Sequence, residues 1–160
     1  MDEQTLAGWR FSKMIIRRLT SEDRELARRL FLMMANVFGE RSGLLGDNYL
    51  DRVLENDAFW VFAAIDKGDP VGGITAHALP MTTSESSELF IYDVSVKQSH
   101  QRQGIGSRLI GAMCEAAAEA GIRPVFVLAD NTDSDALGFY LAMKGNASQV
   151  TLFTLHTSRR

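Results

Sequence analysis

The chain is organised around residues 88–121, where an apolar strand, a glycine-rich turn and a helix stand in immediate succession. Glu88-Leu-Phe-Ile-Tyr-Asp-Val-Ser-Val96 reads as the strand, Lys97-Gln-Ser-His-Gln-Arg-Gln-Gly-Ile-Gly106 as the turn, and a helix is predicted from Ile105 to about Ala120. The turn carries two glycines and one arginine, and no acidic residue falls between Lys97 and Arg108. A helix that opens there aims unpaired backbone N–H groups into the turn, and its dipole favours negative charge. Such a turn can receive a phosphate or pyrophosphate.

The rest of the chain supplies a mixed α/β pattern. Residues 1–13 have no clear period and read as a flexible arm, leaving residues 14–160 as a single domain. Met14-Ile-Ile-Arg-Arg18 is a short strand, and Thr20-Ser-Glu-Asp23 has the form of a capping box. Leu26, Leu30, Met33, Met34 and Val37 then recur at helical spacing. A break over residues 39–46 precedes a second helix, which Asp47 can cap. The apolar run from Phe59 to Asp66 is a buried strand, Lys67-Gly-Asp-Pro70 a hairpin turn, and residues 71–79 its return, with Gly72 and Gly73 suggesting a bulge. Pro124-Val-Phe-Val-Leu-Ala129 is a further buried strand. Asp133 or Ser134 can cap a helix carrying Tyr140, and residues 149–156 alternate weakly as a last strand. The predicted order is βααβββαβαβ. The helix between the Glu88 and Pro124 strands makes that pair parallel, and the hairpins are antiparallel.

Composition narrows the function classes. At 160 residues with 46% hydrophobic and 23% charged residues the chain is expected to form one globular domain. A net charge of −3 disfavours a nucleic-acid partner. The single cysteine, Cys114, precludes an intramolecular disulfide and suits a reducing cytoplasm. No stretch approaches the length of an apolar membrane span, and no secretory signal is expected. His77, His100 and His156 lie far apart, so no metal site is predicted.

Two nucleotide motifs fail on the residues themselves. Gly104-Ile-Gly106-Ser-Arg-Leu109 lacks the third glycine of a dinucleotide fingerprint, and no lysine follows the glycines as a P-loop requires. What remains is Gln101-x-x-Gly104-x-Gly106 after an apolar strand, with Asp133-x-x-Ala136-x-x-x-Tyr140 about thirty residues on. Together these resemble the acyl-CoA pyrophosphate loop and the following helix of the GNAT superfamily of N-acetyltransferases, with aspartate for the usual asparagine. The resemblance implies a GNAT-like mixed, mostly antiparallel sheet with a central parallel strand pair and flanking helices.

A narrower resemblance runs through nearly the whole chain from Met14. Ser87-Glu-Leu-Phe-Ile-Tyr-Asp-Val-Ser-Val96, Val37-Phe-Gly-Glu40, Tyr49-Leu50, Phe62-Ala-Ala64, Val71-Gly72, Ala78-Leu-Pro80 and Ala129-Asp130 with Asp133 are similar to the small aminoglycoside 3-N-acetyltransferases of the gentamicin type. That implies acetyl-CoA-dependent acetylation of the 3-amino group of a 2-deoxystreptamine aminoglycoside, an antibiotic-resistance activity. One departure is visible: the family reaches glycine four residues after the tyrosine, and here Gly145 lies five after Tyr140.

Acetyl transfer from a thioester to an amine needs an anchored cofactor, a neutral amine, a polarised carbonyl and a protonated leaving thiolate. Backbone N–H groups of Gln101, Arg102, Gln103, Gly104, Ile105, Gly106 and Ser107 would receive the pyrophosphate, with the Arg102 side chain as a nearby cation. The resemblance implies that the main chain of Val94, Ser95 and Val96 pairs with the pantetheine arm and that Tyr140 contacts the cofactor as general acid. Asp93, an ionisable residue within an apolar strand, is the candidate base or proton relay. Glu88, Tyr92, Asp93, Asp130 and Asp133 are the candidate substrate contacts, with Glu40 a weaker one. Carboxylates suit a polycation through charge-assisted hydrogen bonds. No histidine lies near Cys114 in sequence, so direct transfer in a ternary complex is preferred to an acyl-cysteine. A protein amine, a polyamine or another small amine remains open as acceptor, as does a non-enzymatic acyl-CoA-binding module. The superfamily also leaves a homodimer open.

Overall fold

The computed structural model describes residues 14–41 and 43–157. The expected arm over residues 1–13 and Ser42 lie outside the described residues. The elements are β1 (Ile15–Arg18), α1 (Arg24–Phe38), α2 (Asp47–Leu54), β2 (Phe59–Asp66), β3 (Asp69–Pro80), β4 (Ser87–Val96), α3 (Ile105–Glu119), β5 (Val125–Val127) and α4 (Ser134–Ala142). The chain divides into two units at Leu128 and Ala129. The first holds all five strands and α1–α3; the second holds α4.

The first unit is built on one sheet in the order β1-β2-β3-β4-β5. β1 to β4 are antiparallel neighbours, and β5 joins β4 in parallel, as the helical crossover requires. β2 and β3 meet in a tight hairpin whose two turn residues, Lys67 and Gly68, both have positive φ (51° and 85°), the geometry that matches strand twist.

Helices cover both faces, and two adjacent glycines set how close they come. Successive strand residues point to opposite faces. A Cβ built on Gly73 would stand 2.7 Å from Leu30 Cδ1 and 2.8 Å from Met34 Sδ, both on α1. One on Gly72 would stand 3.0 Å from Ile105 Cγ2 and 3.2 Å from Leu109 Cδ1, both on α3. The glycines therefore serve helix packing, and the bulge they suggest in this strand falls directly beside them, at Val71. Ala64 opposes Gly72 and Ile65 opposes Pro70, leaving Val71 as the surplus residue. On the α1 face Leu19, Ala27, Leu30, Met34, Val61 and Ala63 form one buried cluster. On the α3 side Ile105, Leu109, Ile110 and Met113 are buried.

The helix signals act as the sequence implies at α1 and α4, but Asp47 does not cap α2: Gly46 holds the cap position with no side-chain bond, and the Asp47 carboxylate pairs with Arg28 instead. Thr20 and Asp23 form the capping box ahead of α1, and Asp23 also accepts two bonds from the Arg17 guanidinium at 2.6 and 2.9 Å. Gly39 ends α1 in the left-handed region at φ 70°. Arg24 grips Asp51 with two bonds of 2.5 and 2.6 Å, and Arg28 bonds Asp47 and the Leu45 carbonyl. These pairs join α1 to α2 and pin the turn between them.

In the second unit Asp133 caps α4, accepting from the Ala136 N–H at 2.9 Å. The extra residue after Tyr140 sits in the helix end. Lys144 takes the left-handed position at φ 63° and bonds the Leu141 carbonyl, while the Gly145 N–H bonds the Tyr140 carbonyl at 3.0 Å. That is the paired C-terminal motif in which a glycine normally holds the left-handed site. The last strand expected over residues 149–156 is absent. Residues 145–157 have no regular structure, and Val150, Leu152, Phe153 and Leu155 are exposed. The weak alternation there has no neighbouring strand in a ladder to satisfy its backbone groups. The Pro124 strand is also shorter than expected, pairing only over Val125–Val127.

Candidate active site

β4 carries the site, and its geometry comes from an irregularity. Thr75 of β3 opposes Asp93, and Ala76 opposes Ile91, so Tyr92 is one residue too many in β4. A bulge of this kind puts two consecutive side chains on one face. Tyr92 and Asp93 accordingly both line a single cleft of about 590 Å³ on the α1 side of the sheet. In a regular strand Asp93 would point the opposite way, towards α3.

The cleft lies between the sheet and the α1–α2 pair. Phe31, Phe38, Tyr49 and Phe59 give it aromatic walls, and Glu40, Asp93, His77 and Arg52 give it charge or hydrogen-bonding capacity. Glu40 enters from the turn that the Arg28 pairs hold in place. Asp93 is half-buried; burial above all, and then the Glu40 carboxylate, push its pKa up, while His77 draws it down. A carboxylate destabilised in this way is a better proton acceptor than one in water. Glu40 and His77 act on Asp93 from outside its own strand. Neither role was legible in the sequence, since both depend on which distant residues the fold brings to Asp93.

The second feature of β4 is its free edge. Its ladder with β5 stops at Ile91 opposite Val127, yet β4 runs on to Val96. Along Val94, Ser95 and Val96 the main chain therefore has no partner in β5. Ser95 is 5% exposed, and its buried hydroxyl has no hydrogen-bond partner. Val94 and Val96 are half-buried.

At the end of that edge the chain enters the turn read from the sequence. A short 3-10 turn, Gln98–His100, follows Lys97, and the Gln101 amide donates to the Val96 carbonyl at 2.9 Å, tying the turn to the strand. Arg102 and Gly104 both adopt positive φ, 61° and 77°. For an arginine that conformation costs about 1–2 kcal/mol. Gly104 precedes α3 without any side-chain cap, and a Cβ there would meet nothing within 4 Å. Gln101, Arg102, Gln103 and Gly104 are exposed, Ile105 is buried, and Gly106 and Ser107 are half-buried. The uncapped helix N-terminus, the open glycine and the free strand edge fit an extended thioester with a diphosphate at one end. When bound, acetyl-CoA supplies the activated acetyl group.

The other predicted residues stand as follows. Glu88 opposes Leu79 on β4 and is not among the cleft residues. In the second unit Asp130 bonds the Thr132 N–H and hydroxyl, both at 2.7 Å, which lowers its pKa. Asp133 is the α4 cap. Tyr140 is half-buried; burial, and then Asp133, push its phenol up, so it keeps its proton. Cys114 is half-buried on α3, where burial raises its thiol and disfavours thiolate. Among the described residues no helix is long and apolar enough to cross a membrane, and no group of three or more His, Cys, Asp or Glu side chains could hold a metal.

The parallel pair of the sheet parts beside the uncapped N-terminus of α3, an arrangement that fits an acyl-CoA-dependent transferase. The chain belongs to the acetyltransferase (GNAT) family, whose pattern matches residues 21–144. Its donor is acetyl-CoA. An aminoglycoside acetyltransferase, meta-AAC0020, from an uncultured soil metagenomic sample and solved with sisomicin, is 32% identical with a TM-score of 0.85, over 91% of this chain and 97% of that one. A second soil metagenomic aminoglycoside acetyltransferase, HMB0005, is 30% identical with a TM-score of 0.81, over 91% and 99%. AAC(6')-Iy with a bisubstrate analogue of coenzyme A and neamine is 18% identical with a TM-score of 0.75, over 92% and 100%, and shares the fold.

Proposed function

We propose that this acetyltransferase acts on aminoglycosides, at the 3-amino group of the 2-deoxystreptamine ring, by direct transfer in a ternary complex. The observation that carries the reading is the pair of carboxylates, Asp93 and Glu40, in an aromatic-walled cleft. A polycationic amino sugar offers ammonium groups to such carboxylates and ring faces to such walls. The likeness to meta-AAC0020, solved with sisomicin, supports the same acceptor class.

In this reading Asp93 holds the acceptor ammonium and takes its proton, freeing the nitrogen lone pair for the acetyl carbon. Main-chain groups of Val94–Val96 hold the donor's arm, the turn from Gln101 to Ser107 holds its diphosphate, and Tyr140 returns a proton to the leaving sulfur. The raised Cys114 thiol is unsuited to a covalent acyl-enzyme.

An acceptor screen tests the proposal. Acetyl-CoA turnover is measured with gentamicin, sisomicin, polyamines and peptides, and the product of an active aminoglycoside is mapped by NMR. Acetylation at N3 is expected. Turnover with peptides or polyamines alone would reject the aminoglycoside reading, and a 6'-acetylated product would reject the position.

A further inference from the structure

His77 stands on β3 opposite Phe90, two residues from the Thr75 that opposes Asp93. Residues two apart on a strand share a face, and His77 and Asp93 both line the acceptor cleft. Its ring is clamped between two aromatics, 5.2 Å from the Phe59 centroid and 5.6 Å, edge to face, from that of Tyr92. It is half-buried and so keeps a route to solvent. The titratable and charged groups around it are Tyr92 and Asp93 on β4, Glu40 after α1, and Tyr49 and Arg52 on α2.

We propose that His77 is the second proton acceptor of this cleft, taking from Asp93 the proton that the acceptor ammonium gives up. The inference rests on the amine-acetylation reading above. The ammonium N–H bond breaks, its electron pair stays on nitrogen, and the proton binds an Asp93 oxygen. Through one water of the cleft, that O–H bond then breaks as an N–H bond forms on the imidazole, and the imidazolium releases the proton to solvent. The relay has a chemical reason. A carboxylate is a weak final acceptor for an ammonium proton, whereas an imidazole ordinarily holds a proton to a pH about two to three units higher. Each passage resets Asp93 as a carboxylate able to grip the next ammonium. The aromatic clamp fixes the ring where a freely rotating histidine would not stay.

The test uses two variants. His77→Asn removes the basic nitrogen, and His77→Phe also removes it while keeping a ring against Phe59 and Tyr92. Both should lower kcat about 10²-fold with little change in the acceptor KM. Both should also change the pH profile of kcat relative to wild type. Near wild-type kcat and an unchanged pH profile in His77→Phe would overturn the proposal and leave a packing role. A second readout is independent of turnover. The His77 ring signals, assigned by their loss in His77→Asn, should shift when sisomicin binds. Ring signals that do not move on binding would also overturn it. Should the wild type turn over no aminoglycoside, the substrate reading alone falls, and the same variants are judged with the amine that the acceptor screen identifies.

Discussion

Asp93 faces the cleft on the α1 side because Thr75 stands opposite it, while the next residue of β3, Ala76, stands opposite Ile91. The slip of one residue at Tyr92 turns the carboxylate from the α3 side to the α1 side. There it meets Glu40 and His77, and burial with Glu40 makes it more basic. It follows that Asp93→Asn should lower kcat/KM for the acceptor by about 10²–10⁴-fold, with the affinity for coenzyme A nearly unchanged. Steady-state kinetics and calorimetry with coenzyme A separate the two. Turnover close to wild type would reject Asp93 as the base.

Gly104 has φ 77° and no side chain to shield the first turn of α3. Gly104→Asp puts a negative charge where the donor's diphosphate is expected to lie, and affinity for coenzyme A should fall by more than about tenfold. Calorimetric titration decides the matter, and an unchanged dissociation constant would show that the diphosphate lies elsewhere.

Gly73 and Gly111 should respond to alanine in opposite directions. The Cβ of Gly73→Ala collides with Leu30 and Met34 in the packed α1 face, costing about 1–3 kcal/mol. Gly111 sits within α3 with nothing within 4 Å of its missing Cβ. Gly111→Ala should therefore stabilise by about 0.5–1 kcal/mol. Thermal melts of the two variants should move to opposite sides of wild type; equal shifts would contradict the close helix approach.

Asp23 links stability to pH. Its hydrogen bond from Arg17, the largest influence, depresses its pKa below the ordinary carboxylate value. A depressed folded-state pKa contributes stability that is present above the unfolded pKa, near 4, and lost as pH falls through the folded one. Arg17 is largely exposed, so solvent screening limits the contribution to about 1 kcal/mol. Asp23→Asn should be less stable than wild type at pH 7, and the difference should shrink below about pH 4 in denaturant melts. A difference that persists at low pH would mean that the capping geometry, not the charge, is what counts.

The amino-acid sequence by itself determined the elements of the first unit, the parallel pairing of β4 with β5, the capping box at Thr20 and the glycine-containing turn from Gln101 to Ser107. Each of these is local: a hydrophobic period, a hydroxyl three residues from a carboxylate, or glycines ahead of an apolar helix. The Gln101 amide bond to Val96 and the uncapped Gly104 follow from neighbours only a few residues apart. The tertiary structure alone decided which residues share the α1-side cleft. Asp93 was legible as an ionisable residue in an apolar strand, but the face it points to depends on a bulge between β3 and β4. That bulge, at Tyr92, is a second one, apart from the β3 bulge at Val71 beside the glycines. His77 carried no signal at all, because its partners lie on two other strands, in the turn after α1 and on α2. Residues 149–156 make the same point in reverse: an alternating pattern becomes a strand only where another strand completes its hydrogen bonds.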